Sequence, residues 1–143
     1  MTKIKKIFIC TTEQSGDNIA SEILKKIVNK KILLDGVGGY KTSKYLRNKF
    51  FDIKEFKSMG IFEVIISLNK YINIINYLTK EILKNDYDLV ITIDSPDFNY
   101  QLTKKLKKNN YNKKIVHIVA PSVWAWRKGR AKRFAKIYDE IFT

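Results

Sequence analysis

The apolar positions change their rhythm repeatedly along this chain. Ile4–Cys10 ends in the run Ile7-Phe8-Ile9 and reads as a strand. Asn18–Val28 carries apolar residues at Ile19, Ile23, Leu24 and Ile27, which is helical spacing. Its C-terminal end is rich in lysine, where the helix dipole favours cations. Ile32–Leu34 reads as a short buried strand, Lys41–Lys49 as a short helix and Phe50–Ile53 as another strand. The longest helical signal is Glu63–Leu83, with Val64, Ile65, Leu68, Ile72, Ile75, Leu78, Ile82 and Leu83 in an i, i+3, i+4 pattern. Asp88–Ile93 is nearly all apolar, the mark of a parallel strand buried on both faces. Tyr100–Lys108 reads as a helix, Lys114–Val119 as a buried strand and Lys128–Tyr138 as a basic helix. Glu140–Thr143 has the character of a strand start.

Strands alternating with helices through short connections predict an α/β fold: a Rossmann-like parallel sheet of about five strands with flanking helices. An α+β arrangement is the alternative. There is no low-complexity linker and no internal repeat, so residues 1–143 read as one domain.

Composition narrows the class. Of 143 residues, 45% are hydrophobic and 29% charged, as in ordinary globular domains. Cys10 is the single cysteine, so no disulfide forms within the chain, which fits a reducing compartment. No apolar run is long enough to predict a membrane-spanning helix. The N-terminal apolar stretch is too short for a secretory leader and lacks a small-residue cleavage site.

The formal net charge of +14 raises nucleic acid or an anionic membrane as partners. Nearly all of it is lysine; the arginines are Arg47, Arg127, Arg130 and Arg133. Reading bases or phosphates favours the bidentate fork of arginine, so no nucleic-acid partner is expected. Diffuse lysine charge suffices for an anionic lipid surface. The abundance of Lys, Ile and Asn also matches an A/T-rich coding composition.

Four clusters of unusual residues follow the carboxyl ends of expected strands. They are residues 12–17, 36–39, 94–99 and 120–127. Ligands of open α/β sheets bind outside the strand carboxyl ends, so the clusters are expected to converge. In the first, Gly16 permits a tight turn and free helix N–H groups attract anions; alternatively, Ser15 or Asp17 merely caps the helix. Gly36-Val37-Gly38-Gly39 is either a weak phosphate-binding turn or a turn that needs glycine for its backbone. No phosphate loop of the GxxxxGK[ST] type occurs.

Asp94 follows a strand expected to be fully buried, where an acid is costly unless used or paired, so it is the candidate general base. Asp97 and Asn99 are either ligand contacts or caps of the next helix. His117, the single histidine, lies inside an apolar strand and reads as core, as does Cys10. One histidine and one cysteine do not make a zinc site. No serine lies in a G-x-S-x-G elbow. Trp124 and Trp126 are core anchors or pocket walls. The basic run from Arg127 to Arg133 is a solvated helix face or an anion-facing patch.

Five stretches together resemble the lipid-A-disaccharide synthases: Glu13-Gln14-Ser15-Gly16-Asp17, Gly36-Val37-Gly38-Gly39, Ser58-Met59-Gly60-Ile61-Phe62-Glu63-Val64, Ile93-Asp94-Ser95-Pro96-Asp97-Phe98-Asn99, and Pro121-Ser122-Val123-Trp124-Ala125-Trp126-Arg127. Their order and spacing fit, and the last two are highly specific. Thr12 stands where that family usually has glycine, and Gln14 where a small residue is common.

The resemblance implies the N-terminal, acceptor-side domain of a two-domain glycosyltransferase B fold, without the C-terminal nucleotide-sugar domain. The implied reaction joins UDP-2,3-diacylglucosamine to 2,3-diacylglucosamine 1-phosphate (lipid X), giving a β-1,6-linked disaccharide 1-phosphate and UDP. It implies Asp94 as base and Glu13 as a second catalytic group. The implied substrate contacts are Ser15, Gly16, Asp17, Gly38, Gly39, Met59, Ser95, Asp97, Asn99, Ser122, Trp124, Trp126 and Arg127. It implies no metal and no cofactor, a separate C-terminal half as partner, and a peripheral position on the anionic cytoplasmic face of the inner membrane. A non-catalytic lipid- or nucleotide-binding remnant is the alternative.

Overall fold

The computed structural model describes residues 5–29, 31–56, 61–118 and 128–142, with backbone only at 61–67 and 128–131. The strands are β1 (Lys5–Cys10), β2 (Ile32–Gly38), β3 (Asn48–Asp52), β4 (Leu89–Ile93), β5 (Lys114–Ile118) and β6 (Glu140–Phe142). The helices are α1 (Gln14–Ile27), α2 (Tyr40–Ser43), α3 (Ile61–Asn85), α4 (Pro96–Lys108) and α5 (Lys128–Ile137), with a 3-10 turn at Ile53–Phe56. The strands form one sheet in the order β3-β2-β1-β4-β5-β6, and every pairing is parallel.

This is the expected Rossmann-like α/β sheet. It has six strands rather than about five, because Glu140–Phe142 does pair with β5. The strand order reverses at β1, which leaves a crevice between the carboxyl ends of β1 and β4.

The alternation of β1 explains the layers. Phe8 and Cys10 face a core built with Leu78, Ile82, Leu102 and Phe134 from α3, α4 and α5. Ile7 and Ile9 face the other side, against Ala20 and Leu24 of α1. The central strands are therefore covered on both faces, which is why they read as continuous apolar runs. His117 and Cys10 are core residues, as their settings suggest. The His117 Nδ1 lies 2.7 Å from Thr92 Oγ1, and its ring stacks on Tyr138 at 4.7 Å.

One expected element is cut short. The helix foreseen over 41–49 ends at Ser43, and β3 begins at Asn48. Buried Asp35 of β2 is the reason. Its carboxylate accepts both Nε and Nη2 of Arg47, at 3.1 and 2.7 Å, the backbone N–H of Asn48 at 3.1 Å and the Tyr87 hydroxyl at 2.6 Å. Burial alone would raise the Asp35 pKa, but the bonds from Arg47 and Tyr87 overcome it and hold the carboxyl below its ordinary value. Burial and the bond to Asp35 push the Tyr87 phenol up. These contacts draw residues 47 and 48 into the sheet before a longer helix can form.

Candidate functional site

The crevice between β1 and β4 is closed underneath by two turns. The first, Thr11–Glu13, leads from β1 into α1; Glu13 is the N-cap of that helix, and its side chain makes no capping bond. The second is Asp94-Ser95, between β4 and α4. Both its residues adopt left-handed backbone, at φ 49° and 45°. Consecutive non-glycine residues in this region cost on the order of 1–3 kcal/mol each and persist only when neighbours hold them.

Several neighbours do so. The Asp94 N–H donates to the Ile118 carbonyl at 2.9 Å. Asn99 Nδ2 donates to the carbonyls of Asp94 at 2.8 Å and Ile93 at 3.3 Å. Pro96 occupies the first turn of α4, where its missing N–H costs nothing. This turn explains why α4 starts at Pro96, earlier than the expected Tyr100.

Two side-chain bonds cross the crevice floor. Ser15 Oγ donates to Asp94 Oδ2 at 2.8 Å. Thr12 Oγ1 donates to Ser95 Oγ at 2.6 Å, and the Thr12 N–H reaches the same oxygen at 3.3 Å. Asp94 is 4% exposed, so its side chain is almost wholly withdrawn from bulk water. Glu13 stands on the exposed rim beside it. Partial desolvation, then the negative charges of Asp94 and Asp97, raise the Glu13 pKa above its ordinary value.

Asp17 has a different setting from Glu13. It is completely buried, and its carboxylate accepts the backbone N–H groups of Gly39 at 2.8 Å, Lys41 at 3.1 Å and Thr42 at 3.0 Å. Asp17 therefore caps α2, not the helix it belongs to. Gly39 is needed for this approach: a Cβ there would lie 2.7 Å from Asp17 Oδ2. Gly16 is needed as well, since a Cβ would lie 1.8 Å from Thr11 Oγ1. Gly38 packs against Thr42, where a Cβ would come within 2.7 Å of the Thr42 Cβ. These contacts account for the glycines by packing.

Beside Glu13 lies a small cavity of about 180 Å³, walled by Phe56, Tyr71, Phe98 and Asp97 with Thr12 and Ser95 at its base. Tyr71, Asp97 and Phe98 also line a larger groove of about 810 Å³ between α3 and α4. Its walls include the exposed Leu68 and Ile72, and Lys104, Lys105 and Lys108 edge it. The Phe56, Tyr71 and Phe98 rings contact one another at centroid distances of 5.0–6.2 Å.

The structure thus brings Glu13, Ser15, Asp94, Ser95 and Asp97 together, with Gly16 beneath. Asp17, Gly38 and Gly39 form an adjacent buried unit, and Asn99 braces the Asp94 turn from within. Met59, Ser122, Trp124, Trp126 and Arg127 lie outside the described residues. Sequence reading missed Phe56, Tyr71 and the α3–α4 groove, and it took in Phe98 only as part of the 94–99 cluster, with no role of its own. Only aromatic character signalled Phe56 and Tyr71, and core aromatics share it. Among the described residues, no group of three His, Cys, Asp or Glu side chains is placed to hold a metal ion. No helix among them is long and apolar enough to cross a membrane.

Comparison with known proteins shows the family to which this sequence is similar. The sequence family described as lipid-A-disaccharide synthetase matches residues 7–143. A lipid-A-disaccharide synthase of Rickettsia bellii (strain OSU 85-389) is 38% identical over 142 residues, covering 98% of this chain and 37% of the relative. That of Rickettsia typhi is 40% identical over 142 residues, with the same coverage. That of Rickettsia prowazekii is 37% identical over 146 residues, again covering 98% and 37%. The chain spans little more than a third of the length of these relatives.

Proposed function

The chain belongs to the lipid-A-disaccharide synthetase family, and from that premise we propose that it is the acceptor-side half of an inverting glycosyltransferase of lipid A assembly. The substrates are UDP-2,3-diacylglucosamine and 2,3-diacylglucosamine 1-phosphate. The observation that carries this reading is Asp94: a buried carboxylate at the strand-order switch, held by Ser15 and followed directly by α4, whose Asp97, Phe98 and lysines line an apolar groove.

In this reaction the acceptor 6-hydroxyl attacks the anomeric carbon from the face opposite UDP. The new C–O bond forms as the bond to the UDP oxygen breaks, and UDP leaves with that electron pair. Asp94 takes the hydroxyl proton as attack proceeds. Ser15 steadies the carboxylate through a hydrogen bond to its Oδ2. Glu13, with its raised pKa, orients the sugar from the rim. The α3–α4 groove has the apolar walls and cationic edge that an acylated, phosphorylated sugar requires. The same surface suits peripheral attachment to the anionic cytoplasmic face of the inner membrane. By the family resemblance, Trp124, Trp126 and Arg127 form the acyl- and phosphate-facing wall, and Met59 and Ser122 are further substrate contacts. A C-terminal half supplies the nucleotide-sugar contacts.

The test is disaccharide formation from the two substrates. It is run with this chain alone, with a C-terminal half of a relative, and with Asp94→Ala in the mixture. Turnover in the mixture that disappears with Asp94→Ala is the expected result. Turnover that survives the substitution removes Asp94 as base. Ligand binding without turnover in any mixture, with partner docking verified, leaves a binding remnant instead.

A further inference from the structure

The contact between Thr12 and Ser95 has no part in the chemistry just described, yet it joins the two turns that carry Glu13 and Asp94. Thr12 directly precedes Glu13, and Ser95 directly follows Asp94. Both are nearly enclosed, at 9% and 4% exposure, so neither hydroxyl is well placed to meet a large substrate. Ser95 is the N-cap residue of α4, but its hydroxyl makes no capping bond; its oxygen accepts from Thr12 Oγ1 and Thr12 N–H instead. A serine has therefore given up the usual use of its position for a bond across the crevice.

We infer that Thr12 and Ser95 are a positioning pair that sets the distance between the Glu13 and Asp94 carboxyl groups. Three features support it. Ser95 shares the left-handed turn with Asp94, so a displacement of one moves the other. Ser15 Oγ bridges α1 to Asp94 and is the first anchor between the two turns. Thr12 supplies the second anchor, and two anchors on consecutive residues define an orientation as well as a distance. Among the described residues, the groups facing Glu13 are Asp94 from the β4–α4 turn, Asp97 from α4 and Tyr71 from α3.

The inference rests on the transferase reading only for its effect on turnover; the geometry is testable without substrate. The first readout is the pH titration of the Glu13 side-chain carboxyl by carbon-13 NMR, in the intact chain and in the variants Thr12→Val, Thr12→Ser, Ser95→Ala and Asp94→Asn. Thr12→Val keeps the shape and loses the hydroxyl; Thr12→Ser keeps the hydroxyl. The Glu13 midpoint is expected to fall in Thr12→Val and Ser95→Ala, in the same direction expected for Asp94→Asn, and to stay raised in Thr12→Ser. A midpoint unmoved in both Thr12→Val and Ser95→Ala, while Asp94→Asn lowers it, overturns the inference. Backbone amide spectra establish that each variant is folded, and Ser95→Ala serves if Thr12→Val is not.

The second readout is turnover in the two-half mixture. Misplacing catalytic groups by about an ångström costs roughly a hundredfold in rate, so Thr12→Val is expected to lower kcat by ten- to hundredfold with KM little changed, and Thr12→Ser to restore it. Absence of turnover in the unsubstituted mixture counts against the transferase reading and leaves the titration to decide the positioning pair.

Discussion

Ser15 in the first turn of α1 donates its hydroxyl to Oδ2 of Asp94, 2.8 Å away at the end of β4. The two residues are 79 positions apart in sequence and meet because the strands that lead into them, β1 and β4, are neighbours in the sheet. Ser15→Ala removes this donor from the buried carboxylate. A hydrogen bond to a charged group contributes about 1.5–3 kcal/mol, so kcat in the two-half reaction is expected to fall roughly ten- to hundredfold. Circular dichroism is expected to show an unchanged fold. Asp94→Asn, which keeps the shape but not the basicity, is expected to lose more activity than Ser15→Ala.

The buried Asp17 carboxylate serves α2 and the glycine turn rather than the crevice. Asp17→Ala leaves three backbone donors without their acceptor and is expected to cost about 2–4 kcal/mol in urea unfolding. Asp17→Asn retains one acceptor oxygen and is expected to recover part of that loss. An alanine variant as stable as the parent would contradict this structural role.

Tyr87 and Arg47 meet the same Asp35 carboxylate from different environments. Tyr87 is wholly buried, whereas the Arg47 side chain is 46% exposed. Tyr87→Phe leaves Asp35 Oδ2 to Arg47 alone and is expected to cost about 1–3 kcal/mol. Arg47→Ala is expected to leave Asp35 with the Asn48 and Tyr87 donors and to raise its pKa. Proton titration of Asp35 by NMR separates the two effects.

Burial lowers the His117 pKa to about 4, although the Asp94 charge opposes the shift. The folded chain therefore binds fewer protons than the unfolded chain between pH 4 and the ordinary histidine value of about 6.5. Stability from this group is fully present above pH 6.5 and is lost as pH falls toward 4. Thermal unfolding of the parent is expected to weaken across that window. His117→Gln, which does not titrate, is expected to show a shallower dependence there, whatever its absolute stability. Parallel pH profiles would place the histidine's charge change elsewhere.

Much of the fold was legible in the chain itself. Apolar runs at Ile7–Ile9, Leu89–Ile93 and Ile115–Val116 announce strands because a parallel strand covered on both faces has no polar side to show. The amphipathic rhythm of α1 and α3 announces helices for the complementary reason: each has one face in water. Asp94 stood out because an acid after such a strand requires a use. Local pattern also determined that the polar clusters at 12–17, 36–39 and 94–99 follow strand ends, and hence that these three share one edge of the sheet.

Tertiary structure decided what each polar residue does there. Asp17 and Ser15 lie on one short segment, yet one turns inward to cap α2 and the other crosses to Asp94. Helix periodicity places them on different faces but does not say what those faces meet. The early end of α2 depends on Asp35, a residue of another element whose carboxylate outcompetes local helix propensity. The groove between α3 and α4 depends on how far two helices stand apart, and the Thr12–Ser95 bond joins residues 83 positions apart. Sequence pattern reports periodicity and burial, which are local averages; hydrogen-bond partners and cavities are set by the packing of distant elements against one sheet.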